Sequence, residues 1–438
     1  MPRQLPLTFQ QRWLRDLIQQ HAGWRCILTN VLRLSGALDP QRLCASINQA
    51  MSRHDALRTC IVASGDTGVQ EIDESCTARV ALIEIGDVAP SEIEQKVHRA
   101  LESFADGRLD PAVTPLVAFG LIKVHPAEHL LVMTIHRLIA DCIGADLVLT
   151  DICMLYHAIQ GQSHSTPQGP QYSDYAQWQN RSYAGWLGKH EAYWIKHLAG
   201  TAPIQWPTSR PRSHARRGDI GRVRCQLDAQ LSDELREAAR RLHTLAATFM
   251  LSIYLAVLAK WCRQRDLVIP FNIAGRQSEH KNVVGYFSHV LYLRFALSGN
   301  ETFAQLLDRV ANEFFQSLSH QDFGSIAMRW PALLEGTFFQ WITWHKSAFY
   351  VTENRDPADV APLTTERFPF REFGEGLTAI PPGMVDVEMT FIDTEDGIHA
   401  LGVYRADRFS SHVMEEFLQT FQLAVQKFVR DPHSSIAT

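Results

Sequence analysis

An apolar run, Leu130-Leu131-Val132-Met133-Thr134-Ile135, ends in a polar cluster, His136-Arg137-Leu138-Ile139-Ala140-Asp141-Cys142. A short run of this kind reads as a strand buried on both faces, predicted over 129–135. The cluster then falls at a strand-to-loop junction, where rigid backbone presents side chains at an edge. The chemistry of the first two is unequal. A neutral imidazole such as that of His136 trades a proton near neutral pH, with an unperturbed pKa of roughly 6.5. Arg137 cannot act as a base, because a guanidinium has a pKa above about 12, five donors and no acceptor. What remains to Arg137 is the role of a fixed cation, able to stabilise an oxyanion. A buried carboxylate at Asp141 calls for a partner, since an unpaired buried charge is costly.

Helical and strand patterns alternate on either side. A helix is predicted over 40–52, with Leu43, Ile47 and Met51 on one face and Asp39 as N-cap. Another is predicted over 143–158, with Leu147, Asp151 and Met154 limiting how regular its apolar face can be. Residues 159–171 are rich in Gln, Gly, Ser and Pro and read as a loop or lobe boundary. Beyond it come helices over 231–241 and 245–263, strands over 267–274 and 290–295, and a helix over 303–318. A strand pair over 384–392 and 398–404 turns at Glu395-Asp396-Gly397, because Asp-Gly is a strong hairpin signal. A helix over 411–429 closes the series, with Phe417, Phe421, Val425 and Phe428 on one stripe. These stripes read as core faces of an α/β fold. At 438 residues the chain is too long for one small core, and two lobes are expected.

Bulk numbers exclude several functions. A formal net charge of −5 gives no global basic field for nucleic acid. The one basic run, Arg210 to Arg217, lies in a Pro/Ser-rich connector and reads as a solvated loop. Eight scattered cysteines without a Cys-x-x-Cys pair read as reduced, packed thiols of a cytosolic protein. Cys142 follows an Asp that opposes thiolate formation, so it reads as structural. No apolar run reaches about 18 residues and no signal-peptide core is present, so the expected location is the cytoplasm, with no membrane partner. Gly-x-Ser-x-Gly, phosphate-loop, His-Glu-x-x-His and dinucleotide fingerprints are all missing, and no metal site is expected.

The cluster at 136–142 resembles the His-His-x-x-x-Asp-Gly signature of nonribosomal-peptide condensation domains. Arg137 stands at the second His and Cys142 at the Gly. An ordered series of further segments carries the same resemblance. These are Leu7-Thr8-Phe9-Gln10-Gln11-Arg12-Trp13-Leu14, Arg53-His54-Asp55-Ala56-Leu57-Arg58-Thr59, Tyr172-Ser173-Asp174-Tyr175-Ala176-Gln177-Trp178 with Tyr193-Trp194, and Trp206-Pro207-Thr208-Ser209-Arg210-Pro211-Arg212. Ala274-Gly275-Arg276 with Val284-Gly285-Tyr286-Phe287, and Tyr404-Arg405-Ala406-Asp407-Arg408-Phe409, complete it. Departures are Cys142-Ile143-Gly144, Ser288-His289, and Phe323-Gly324-Ser325 after His320-Gln321-Asp322. The resemblance implies two chloramphenicol-acetyltransferase-like lobes, 1–165 and 166–438, forming a V-shaped pseudo-dimer with a central tunnel. It implies a catalytic set of His136, Arg137 and Asp141 in degenerate form. Arg276, as partner of Asp141, and Cys142 would be structural at the site, while Ser288, His289 and Gly324 would line the tunnel.

The His-Arg-x-x-x-Asp form is similar to the X-type domains of glycopeptide-antibiotic synthetases. That resemblance implies a domain that does not condense but recruits a haem monooxygenase to a peptide on a peptidyl carrier protein. The alternative is an active condensation domain that forms an amide or ester bond through substrate positioning. Either way no cofactor is held directly, and the phosphopantetheine arm of a carrier protein is the expected visitor. The chain is expected to be a monomer. It reads as either a discrete protein or an excised domain, with no carrier or adenylation segment attached.

Overall fold

A computed structural model describes residues 2–437 except 22, 65–67, 87–88, 106, 159–168, 209, 211–218, 322–325, 344–363 and 368–379. The apolar run at 130–135 forms the middle of the strand Glu128–His136, buried at every position but the first. It pairs antiparallel with Ile27–Ser35 on one side and Val117–His125 on the other. The sheet is completed by Thr364–Arg367 at one edge and Val80–Glu84 at the other, giving five strands. Central placement explains the unbroken hydrophobicity: both faces are covered. Leu131, Met133 and Ile135 share a core with Leu43, Ile47 and Met51 of the helix Pro40–Arg53 and Val148, Leu149 and Ile152 of the helix Cys142–His157. Leu130 and Val132 face Val97 and Leu101 of the helix Pro90–Ala105. The Phe104 ring lies over Gly120, where an added Cβ would stand 2.0 Å from Cζ, so only glycine fits that strand position.

Local chemistry sets the helix ends. Asp39 caps Pro40–Arg53 by accepting from the N–H groups of Gln41 and Arg42. The irregularity expected at Asp151 is resolved by ion pairing: Arg53 Nη1 lies 2.6 Å away, and His54 Nε2 lies 3.3 Å away. Burial would raise the Asp151 pKa, but His54 and Arg53 outweigh it and hold it below its ordinary value. Arg3–Pro6, Val69–Ile72 and Thr59–Val62 form a small antiparallel sheet beside this core.

A second sheet runs in the order His289–Ala296, Asp266–Ile273, Thr337–Thr343, Val387–Thr394, Gly397–Arg405, Ile220–Leu227. Thr337–Thr343 runs parallel to both of its neighbours, and the remaining pairs are antiparallel. The Asp-Gly turn is present, with Gly397 at φ +129°, a conformation open to glycine. One face is covered by helices including Ala246–Cys262 and Ser411–Arg430. Tyr254 packs against Phe339, Phe391, Phe417 and Phe421 there. No single helix among the described residues is long and apolar enough to cross a membrane. Most of the apolar helix Ala246–Cys262 is buried in this core.

Contacts divide the chain into two compact units. The first holds Met1–Tyr183, Ala274–Ser288 and the strand Thr364–Arg367, and the rest of the described chain belongs to the second. This corrects the single expected cut between 165 and 166. Two late segments return to the first unit because one adds a strand beside Ile27–Ser35 and the other seals the polar cluster at 136–142. The helix Tyr172–His197 begins in one unit and ends in the other. Most of the loop expected at 159–171, and most of the basic run at 210–217, lie outside the described residues.

Candidate functional site

His136 is the last residue of its strand, and its N–H donates to the Leu116 carbonyl at 2.9 Å. The ring is buried and turns back on its own loop, where Nδ1 accepts from the Leu138 N–H at 3.1 Å. An Nδ1 that accepts leaves the neutral ring's proton on Nε2. Burial, and then the charge of Arg137, lower the pKa of His136 to about 4. At neutral pH this imidazole is uncharged and its one basic nitrogen is engaged.

Arg137 donates its backbone N–H to the Cys26 carbonyl at 2.9 Å, and the residue is only 3% exposed. Burial works against the charge. Cys142, Cys26, Tyr286 and Asp141 together outweigh it, holding the pKa above the ordinary arginine value. Burial raises the Cys26 thiol to about 12, with Arg137 opposing, so that thiol is neutral at pH 7. Arg137 is therefore a buried cation at neutral pH.

Asp141 ties the site together. Its Oδ1 accepts from the Gly144 N–H at 2.8 Å and caps the helix Cys142–His157. Its Oδ2 accepts from Arg276 Nη1 at 2.5 Å, from the Phe287 N–H at 3.0 Å and from the Ser288 N–H at 3.2 Å. The Ser288 hydroxyl adds a longer contact at 3.4 Å. Both partners of the ion pair are buried. Arg276 Nη2 also reaches the Gly285 carbonyl at 3.2 Å, and its guanidinium lies 4.5 Å from the centre of the Phe287 ring. Cys142 opens the helix, half-buried and in no disulfide.

The first unit thus brings together His136, Arg137, Asp141, Cys142, Arg276 and Ser288. His289 opens the first strand of the second sheet, opposite Ile273, and belongs to the second unit. Gly324 lies outside the described residues. Among the described residues, no group of three or more His, Cys, Asp or Glu side chains forms a metal-ligand set. Sequence reasoning missed Gln11. Its Nε2 donates to the Leu138 carbonyl at 3.0 Å, inside the loop between Arg137 and Asp141. The signal was available, since Thr8-x-x-Gln11 is a capping box, but a capping residue reads as solvent-facing until its burial is known.

The sequence profile described as "Condensation domain" matches residues 1–329. The chain belongs to the condensation-domain family. Surfactin synthase subunit 1 of Bacillus subtilis (strain 168) is 27% identical over 420 residues, which cover 92% of this chain and 11% of that protein. The chain spans 4 to 11% of the length of the curated relatives it matches. Two solved structures share the condensation fold. The condensation domain from the monacolin K polyketide synthase MokA matches with a TM-score of 0.81 at 16% identity, over 99% of each chain. The X-domain in its complex with OxyB from teicoplanin biosynthesis matches with a TM-score of 0.78 at 22% identity, over 100% of this chain and 96% of that one. The fold is therefore the chloramphenicol-acetyltransferase-like α/β fold of condensation domains.

Proposed function

We propose that this condensation-family chain does not form peptide bonds itself. In this reading it recruits a haem monooxygenase to a peptide carried on the phosphopantetheine arm of a peptidyl carrier protein, during peptide-antibiotic assembly in the cytoplasm. The observation that carries the reading is the lack of a free base in the signature. Arg137 has no acceptor, and the Nδ1 of His136 is taken by the Leu138 N–H. The His-Arg-x-x-x-Asp form and the shared fold with an X-domain bound to OxyB support recruitment over simple loss of function.

The test is a pull-down with the purified chain from lysate of its native host, read by mass spectrometry and by the haem absorbance of the retained fraction. Stoichiometric retention of a haem monooxygenase, unchanged in Arg137→Ala, is the expected result. Retention of carrier proteins alone would sink recruitment. A second reading, an active condensation domain, is favoured by the intact Asp141–Arg276 clamp, which keeps the signature loop in place. It predicts amide or ester product from two loaded carriers.

A further inference from the structure

The middle segment Tyr172 to Trp178 has so far no role in the site. The geometry points to Tyr172 as a positioning residue for Asp141: its hydroxyl holds Tyr286, and through the flanking Gly285 and Phe287 it fixes where Asp141 lies.

Asp141 is clamped by the segment 283–288, which supplies the Phe287 and Ser288 N–H groups to Oδ2 and the Gly285 carbonyl to the Asp141 N–H at 3.1 Å. Something must hold that segment in turn. Tyr172 is fully buried, and its hydroxyl donates to the Tyr286 carbonyl at 2.5 Å. Its one proton is then spent, so at the 2.9 Å contact with Thr8 Oγ1 the threonine is the donor. The Tyr172 ring lies flush on Gly285, where an added Cβ would stand 2.1 Å from Cδ2. It also meets the Phe287 ring edge-on, with centroids 5.0 Å apart. Three successive residues of the clamp, 285 to 287, thus rest on one side chain.

Thr8 links this support to the opening segment. It caps the helix Phe9–Gln20, whose Gln11 holds the Leu138 carbonyl from the other side of the loop. The opening and middle segments therefore converge on the loop.

The test compares Tyr172→Phe, which keeps the ring on Gly285 and removes one hydroxyl, with Tyr254→Phe. Tyr254 is equally buried, and its hydroxyl meets Thr337 Oγ1 at 2.6 Å in the second unit. Two local readouts are followed: the rate at which a neutral maleimide labels Cys142, resolved by peptide mass, and amide exchange at Phe287 and Ser288. Tyr172→Phe is expected to speed both about tenfold, the change in local opening that losing one buried hydrogen bond produces. Tyr254→Phe is expected to leave both unchanged. A folded Tyr172→Phe protein with unchanged rates overturns the proposal, and so does an equal change in Tyr254→Phe. If Tyr172→Phe does not accumulate, Thr8→Val is measured against Thr8→Ser. Faster rates in the valine variant alone support the proposal, and equal rates in the two overturn it. Neither readout needs a carrier protein or an oxygenase, so the result stands apart from the recruitment reading.

Discussion

The Asp141 carboxylate and the Arg276 guanidinium meet at 2.5 Å although 135 residues separate them, and both side chains are buried. The pair is further satisfied by two backbone N–H groups, which is the condition under which a buried ion pair is retained without large net cost.

Breaking the pair on one side therefore leaves an uncompensated charge. Asp141→Asn keeps the shape and an N-cap acceptor but leaves Arg276 without a counter-ion. Its expected cost is about 3–5 kcal/mol, typical for removing one member of a buried pair. Arg276→Met is expected to cost a similar amount. The double variant is expected to cost clearly less than the sum of the two. Denaturant unfolding of the four proteins measures this, and simple additivity would show that the two groups are not coupled.

How much of this was legible in the chain depends on how local each signal is. The strand ending at His136 could be read because a central strand covered on both faces leaves an unbroken apolar run. The Asp39 cap and the Asp-Gly hairpin were legible for similar reasons, since each depends on a few neighbouring residues. The return of 274–288 to the first unit was not, because nothing in that segment's own pattern says which sheet it will join. Only the resemblance pointed from Asp141 to Arg276. The burial of Gln11 was equally hidden: a capping side chain reads as surface unless its partners are known, and Leu138 lies in a distant segment.

Arg137→His tests whether the rest of the site still supports condensation. The substitution restores the second imidazole of the signature, but Cys142 and the Phe323-Gly324-Ser325 stretch still depart from it. The expected outcome is a folded protein with no amide product above background from two loaded carriers, followed by mass spectrometry. Product that depends on both carriers and on the new histidine would show that only the base had been lost.

Gly285→Ala tests the close approach of Tyr172. The added methyl would need to stand 2.1 Å from a ring carbon of a buried side chain, so ring or backbone must shift. Overpacking of this kind costs about 1–3 kcal/mol. The expected signature is a lowered unfolding midpoint together with faster amide exchange across 283–288. An unchanged midpoint would mean that the segment yields freely.

The pH dependence follows from His136. In the folded chain burial, and then Arg137, lower its pKa to about 4, whereas an exposed histidine titrates near 6.5. Between these values the unfolded chain binds a proton that the folded chain does not, so stability rises with pH across that window. The contribution is complete above about pH 6.5 and is lost as pH falls towards about 4. The full effect is on the order of 3 kcal/mol. A His136→Gln variant lacks the titrating group, and Gln can still offer an acceptor to the Leu138 N–H. Its unfolding free energy, measured beside that of the parent over this window, is expected to fall less steeply on acidification. Parallel curves would assign the acid sensitivity to other groups.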